Sequence, residues 1–129
     1  MNKYSYLILR LSIGISMFGH GFVRIFKLNA FSTWMTGQFE KSILPQAIVI
    51  PFSYILPFLE LITGILLILG LFTKQALLLG SFVMLMLIFG STMIENWDVL
   101  PSQLIHIAFF VVLLQFINSN SFCIDNHNK

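Results

Sequence analysis

The sequence predicts an all-α polytopic membrane protein, a four-transmembrane-helix bundle with an interfacial amphipathic segment between helices one and two. Three observations predict it. Of 129 residues 57% are hydrophobic and only 9% charged, whereas a soluble domain carries roughly 25% charged residues. Mean hydropathy is +0.90. The apolar residues also gather into four stretches, most of them long enough to cross roughly 30 Å of hydrocarbon as a helix. The chain is read as one membrane domain over residues 1–129, with lipid as its solvent.

The first stretch covers residues 4–25. Its start, Asn2-Lys3, resembles a signal peptide, but the apolar run is longer than a typical signal core and no small-residue cleavage site follows. A retained helix is expected. The second stretch, 47–72, contains Pro51, placed in its first turn, and Pro57, which takes a bond from the Ser53 carbonyl and should kink the helix. The third, 76–94, carries no charge. Only Thr73-Lys74-Gln75 separates it from the second, so the two must run antiparallel. The fourth, 101–117, opens on Pro101, suited to a first turn, after an exposed loop Glu95-Asn96-Trp97-Asp98.

Between the first two spans lies a segment too polar to cross. Its Phe31, Trp34, Met35, Phe39 and Ile43 follow helical spacing, which fits an amphipathic helix on the membrane surface ended by Pro45, or a lid packed on the bundle. The polar residues Asn118 to Lys129 read as a frayed tail. Four spans place both termini on one side. Lys3, Arg10, Lys74 and Lys129 lie toward that side and Arg24, Lys27 and Lys41 toward the other, so basic residues do not choose the orientation.

Composition also excludes. A net charge of +2 offers no basic patch for many phosphates, so nucleic acid is not an expected partner. Cys123 is the single cysteine, which removes an intramolecular disulfide and any Cys-x-x-Cys dithiol. No Cys/His spacing suits a metal, and no phosphate loop, haem pair or flavin motif is present, so no intrinsic cofactor is expected.

Charged side chains in lipid cost about 2.5 to 3.5 kcal/mol each at a helix centre, and their placement carries the functional argument. On helix one, Arg10, Gly14, Met17, His20, Gly21 and Arg24 share an arc of about 120°. On helix two, Ser53, Pro57, Glu60 and Gly64 form a stripe, and on helix four Gln103 and His106 are neighbours. Glu60 is the deepest charge. Arg10 enters from the terminal side and is expected to pair with it, the alternative being a snorkelling arginine. His20 and His106 lie at matching depth from the opposite face. The expectation is a polar cavity opening toward residues 27–46, with the histidines at its mouth, Glu60 at its floor, and Trp34 and Phe39 over the opening. Candidate ligand-binding residues are His20, Glu60, Gln103 and His106. The bland alternative has the histidines joining helices by hydrogen bonds and the glycines Gly14, Gly64 and Gly80 serving close packing.

Two motifs then resemble the DoxX family of small four-helix bacterial membrane proteins. Arg10-Leu11, Gly14 and His20-Gly21 with Arg24 and Lys27 are similar to its Arg-Leu, Gly and His-Gly-x-x-Lys-like pattern. Glu60-Leu61-x-x-Gly64-x-Leu66-Leu67-Ile68-Leu69-Gly70-Leu71-x-Thr73 is similar to its Glu-x-x-x-Gly-x-Leu-Leu-x-x-Gly-Leu-x-Thr signature. The resemblance spans roughly residues 5 to 118. It implies kinship with a subunit of a thiosulfate:quinone oxidoreductase and other redox-associated membrane proteins. A bacterial inner-membrane location follows from it, with both termini cytoplasmic and residues 27–46 periplasmic. The expected function is a redox-associated membrane subunit or a quinone-like lipid binder, working with a soluble oxidoreductase subunit or a second copy of the chain. If enzymatic at all, it would be a non-catalytic or quinone-interacting subunit. A small proton-coupled transporter resembling the small multidrug resistance family, and a structural subunit with no ligand, are the alternatives. In the former family the membrane carboxylate belongs to helix one, whereas Glu60 is on helix two.

Overall fold

The computed structural model describes residues 1–125 and is all-α. Its elements are α1 (Lys3–Ile25), α2 (Leu28–Gln38), α3 (Gln46–Leu69), α4 (Thr73–Met93) and α5 (Leu100–Gln115), followed by a 3-10 turn at Ile117–Ser119. Among these, α1, α3 and α4, with 23, 24 and 21 residues, are long and apolar enough to cross a membrane. The fourth apolar segment forms a helix of 16 residues, about 24 Å at 1.5 Å per residue.

Local chemistry sets each boundary. The Asn2 side chain accepts from the Tyr4 N–H at 2.7 Å and starts α1. Pro45, in extended conformation, precedes α3, so the helix begins at Gln46 and Pro51 falls inside it rather than in the first turn expected. At the other end Gly70 takes φ 68°, a left-handed conformation cheap only for glycine, and the Leu71 N–H closes on the Leu66 carbonyl at 3.0 Å. The helix therefore stops short of the expected Phe72. Residues 70–72 then reverse the chain into α4.

The helices form a ring: α1 packs most closely on α3, α3 on α4, α4 on α5, and α5 returns to α1. The α1–α3 crossing depends on absent side chains. A Cβ on Gly21 would lie 2.5 Å from the Pro57 carbonyl oxygen and from the Leu61 nitrogen, and one on Gly64 would strike the Phe18 backbone. Small residues let two backbones approach where apolar burial gives no driving force. The core beneath is filled by Tyr6, Met17, Leu56, Leu67, Leu77, Phe110 and Leu113. Ile8, Ile15, Ile55, Ile62, Phe82 and Leu85 cover the outside. Such an apolar exterior on long helices belongs in a bilayer, and the chain is a multi-pass membrane protein.

Two expectations about the connections need correction. The helix after α1 ends at Gln38, well before Pro45, because the Phe39 N–H turns back to the Met35 and Thr36 carbonyls. It rests on α3 through Ser32 Oγ and Ser53 Oγ, 2.6 Å apart, and through the Tyr54 hydroxyl, which donates to Asn29 Oδ1 at 2.9 Å. The tail is not frayed where it is described. Ser119 Oγ donates to the Met1 carbonyl at 2.8 Å, and the rings of Tyr4 and Phe122 lie 5.5 Å apart. Asp125 accepts from the Phe72 and Thr73 N–H groups at 2.6 and 2.8 Å. Residues 126–129 of the expected frayed segment lie outside the described residues. The N-terminus, the α3–α4 turn and the C-terminal segment thus meet at one end of the bundle.

Candidate ligand cavity

The opposite end of the ring is hollow. A cavity of about 540 Å³ extends between α1, α3, α4 and α5, with α2 and the residues after it along one side. Its volume falls in the range of small-molecule sites, roughly 300 to 1,000 Å³. Apolar side chains dominate the wall, including Met17, Phe31, Trp34, Phe52, Leu56, Met84 and Phe89. His20, Arg24, Glu60, Ser102, Gln103 and His106 supply polarity. All four expected ligand-binding residues line this one space, as do Trp34 and Phe39.

At its deepest charge the structure departs from the sequence reading. Glu60 Oε1 accepts from Arg24 Nη1 at 2.7 Å, and Arg10 is elsewhere. The register of α1 on α3 is the cause. Gly21 lies against Pro57 and Leu61, and Gly14 against Leu67 and Ile68, so the helices are antiparallel with Glu60 opposite the end of α1. Arg24, one turn beyond Gly21, reaches it. Arg10, one turn before Gly14, arrives instead beside Gly70. The Glu60 side chain is 3% exposed and that of Arg24 30%, so the carboxylate is sealed in while the guanidinium keeps an open side. That guanidinium also lies over the Phe31 ring, 4.5 Å from its centroid, which ties α2 to the charge pair.

The two histidines stand nearby with rings 6.0 Å apart and nearly perpendicular, within electrostatic range of Glu60. His20 Nδ1 lies 2.7 Å from the Ser16 carbonyl and His106 Nδ1 2.7 Å from the Ser102 carbonyl. A carbonyl oxygen only accepts, so both Nδ1 atoms carry hydrogen, and in a neutral ring Nε2 is then an acceptor. His106 Nε2 receives the Ser16 hydroxyl at 2.9 Å, which links α5 to α1. Gln103 Nε2 donates to Ser91 Oγ at 2.9 Å across α5 and α4. Among the described residues no three His, Cys, Asp or Glu side chains are placed to hold a metal ion.

Arg10 has a different task. It is 2% exposed, and its Nη1 donates to Asn120 Oδ1 at 2.6 Å, while Asn120 Nδ2 donates to Thr73 Oγ1 at 3.0 Å. The Tyr6 hydroxyl donates to the Leu113 carbonyl at 2.8 Å alongside. This cluster fastens the tail and lines no part of the cavity. Sequence reasoning places Arg24 on the polar arc of helix one but does not name it among the site residues, giving Glu60 to Arg10 instead. The available signal is its position four residues after His20 on the same helical face. Phe31 and Ser16 carry no comparable signal.

Comparison with protein families gives a match to the DoxX family model over residues 5–93. The matched region holds His20, Arg24 and Glu60 and stops before Gln103 and His106. Neither curated proteins nor solved structures gave a match.

Proposed function

The chain belongs to the DoxX family, and from that premise we propose that it is a four-span protein of the bacterial inner membrane that holds a quinone-like amphiphile in its cavity. The observation carrying this reading is the cavity's composition: an apolar wall of aromatic and aliphatic side chains around a polar group of His20, Arg24, Glu60, Gln103 and His106. An apolar body fits the wall, and a headgroup with hydrogen-bonding oxygens fits the polar residues. Half-buried His106 lines the cavity, which speaks against a purely structural subunit, while exposed His20 borders both the cavity and a shallow outer groove on α1. The transporter reading needs a carboxylate free to exchange a proton, whereas Glu60 is already paired with Arg24.

Meeting of the N-terminus and the segment 119–125 at one end supports an even number of crossings, with α5 as the fourth. Its roughly 24 Å are spanned by local thinning of the bilayer. A bound quinone would supply two-electron chemistry, and a soluble oxidoreductase subunit would exchange electrons with it. The side chains of this chain would bind and orient the headgroup. Purification in mild detergent followed by solvent extraction tests the reading: quinone at near one equivalent is expected, falling several-fold in Glu60→Gln. A preparation that neither retains quinone nor takes up added quinone overturns it.

A further inference from the structure

The polar groups of the cavity are not equally available. His106 Nε2 is engaged by Ser16, Glu60 Oε1 by Arg24, and Gln103 Nε2 by Ser91. His20 differs. Its Nδ1–H goes to the Ser16 carbonyl, and its Nε2 has no partner among the described residues. A neutral ring held this way presents one lone pair and no second N–H. One turn along α1, Arg24 gives one N–H to Glu60 and keeps further donors on its open side. Residues at i and i+4 of a helix are neighbours, about 5–6 Å apart at Cβ. An acceptor and a donor therefore stand side by side on a stretch of α1 that lines the cavity and also borders an outer groove.

We propose that the cavity selects ligands whose headgroup carries a hydroxyl, donating its hydrogen to His20 Nε2 while an oxygen lone pair accepts from Arg24. The inference rests on the cavity reading above and narrows it: hydroxylated rings are preferred over rings whose oxygens are all carbonyl or ether. A carbonyl or ether oxygen can satisfy Arg24 but leaves His20 Nε2 without a hydrogen.

Two probes with the same tail separate the cases, 4-nonylphenol and its methyl ether 4-nonylanisole. Binding to the full chain in lipid nanodiscs is followed by quenching of Trp34 in a Trp97→Phe background, since Trp34 lines the cavity and the chain has two tryptophans. The phenol is expected to bind about tenfold tighter, the worth of one good hydrogen bond. His20→Phe keeps an aromatic ring and should bring both probes to the same weaker affinity. His106→Phe, at a residue that lines the cavity, should weaken both probes alike and preserve the ratio between them, because His106 Nε2 is already occupied by Ser16, and thermal melts identify a variant that has lost its fold. Equal binding of phenol and ether to the parent protein overturns the hydroxyl preference and leaves the cavity reading standing. Loss of the preference in His106→Phe with retention in His20→Phe assigns it to the wrong histidine and also overturns it. Failure of both probes to bind removes this inference and the cavity reading together.

Discussion

Helix α1 carries one arginine toward each end of the bundle, and the two are used in opposite ways. Arg24 meets a carboxylate beside open space, with a donor side left over. Arg10 meets an uncharged amide inside packed structure, where Asn120, Thr73 and the C-terminal segment surround it. Both residues share one face of α1, and both cost energy to place in a membrane. The register of α1 on α3 decides which of them lines the cavity. A charge in a bilayer is thus evidence that something answers it, and only the neighbouring helix says whether the answer is a ligand site or a clasp.

The comparison breaks most visibly at Glu60. Removing one partner of a buried ion pair leaves an uncompensated charge, at about 3–5 kcal/mol. Arg24→Leu and Glu60→Leu should each lower stability in detergent, Glu60→Leu less because the guanidinium it leaves unpaired is partly exposed, whereas Arg24→Leu leaves a sealed carboxylate. The double variant should be milder than the sum. Arg10→Leu with Glu60→Leu should add within roughly 0.5 kcal/mol. Coupling between residues 10 and 60 with additivity between 24 and 60, from denaturant titrations of the three single and two double variants, would reverse the roles assigned to the arginines.

A smaller effect sharpens the contrast. Arg10→Leu removes the donor to Asn120 and should cost about 1–3 kcal/mol of stability, while binding of the proposed ligand stays at the parent level. Arg24→Leu should lose ligand as well as stability. A fall in ligand content with Arg10→Leu at full occupancy of the folded state would join the two ends into one site.

The smallest effect lies at the tail. Burial pushes the Asp125 carboxyl up, but the hydrogen bonds from Thr73 and Phe72, with help from Arg10, bring it below its ordinary value. A carboxylate depressed in the folded state adds stability above its ordinary pKa and loses it as pH falls through the folded value. Asp125→Ala should therefore cost about 1 kcal/mol near neutrality. The gap to the parent should close below about pH 4. Cys123 reports the same event, since it is buried with its thiol toward the Asn120 carbonyl at 3.1 Å. Maleimide labelling should quicken several-fold in Asp125→Ala. Unchanged labelling, or a gap that widens in acid, would contradict the clasp.

Much of this architecture is legible in the amino-acid sequence. Hydropathy locates the apolar segments, the proline and glycine positions bound α3, and the matching depth of His20 and His106 points to their meeting. Glu60 stands out as the buried charge. Its partner does not, because depth measured from helix ends assumes equal starting planes, whereas Gly21 and Gly64 slide α1 along α3 until backbones touch. The tail misleads for a related reason. Asn120 and Asp125 look like solvated residues in sequence, and their partners lie 47 to 110 positions away. Nothing local marks a polar side chain that caps a distant helix.

That remote cap bears on how the chain is made. Phe72 holds φ 48°, uncommon for a bulky residue, at the turn where α4 begins, and the groups that satisfy this turn arrive with Asp125. Synthesis runs from the N-terminus, so α3 and α4 enter the bilayer while the turn between them still lacks its cap. The hairpin waits through the whole of α5. Docking of Asp125 is then itself an assembly step, because the turn between α3 and α4 has no cap until it arrives.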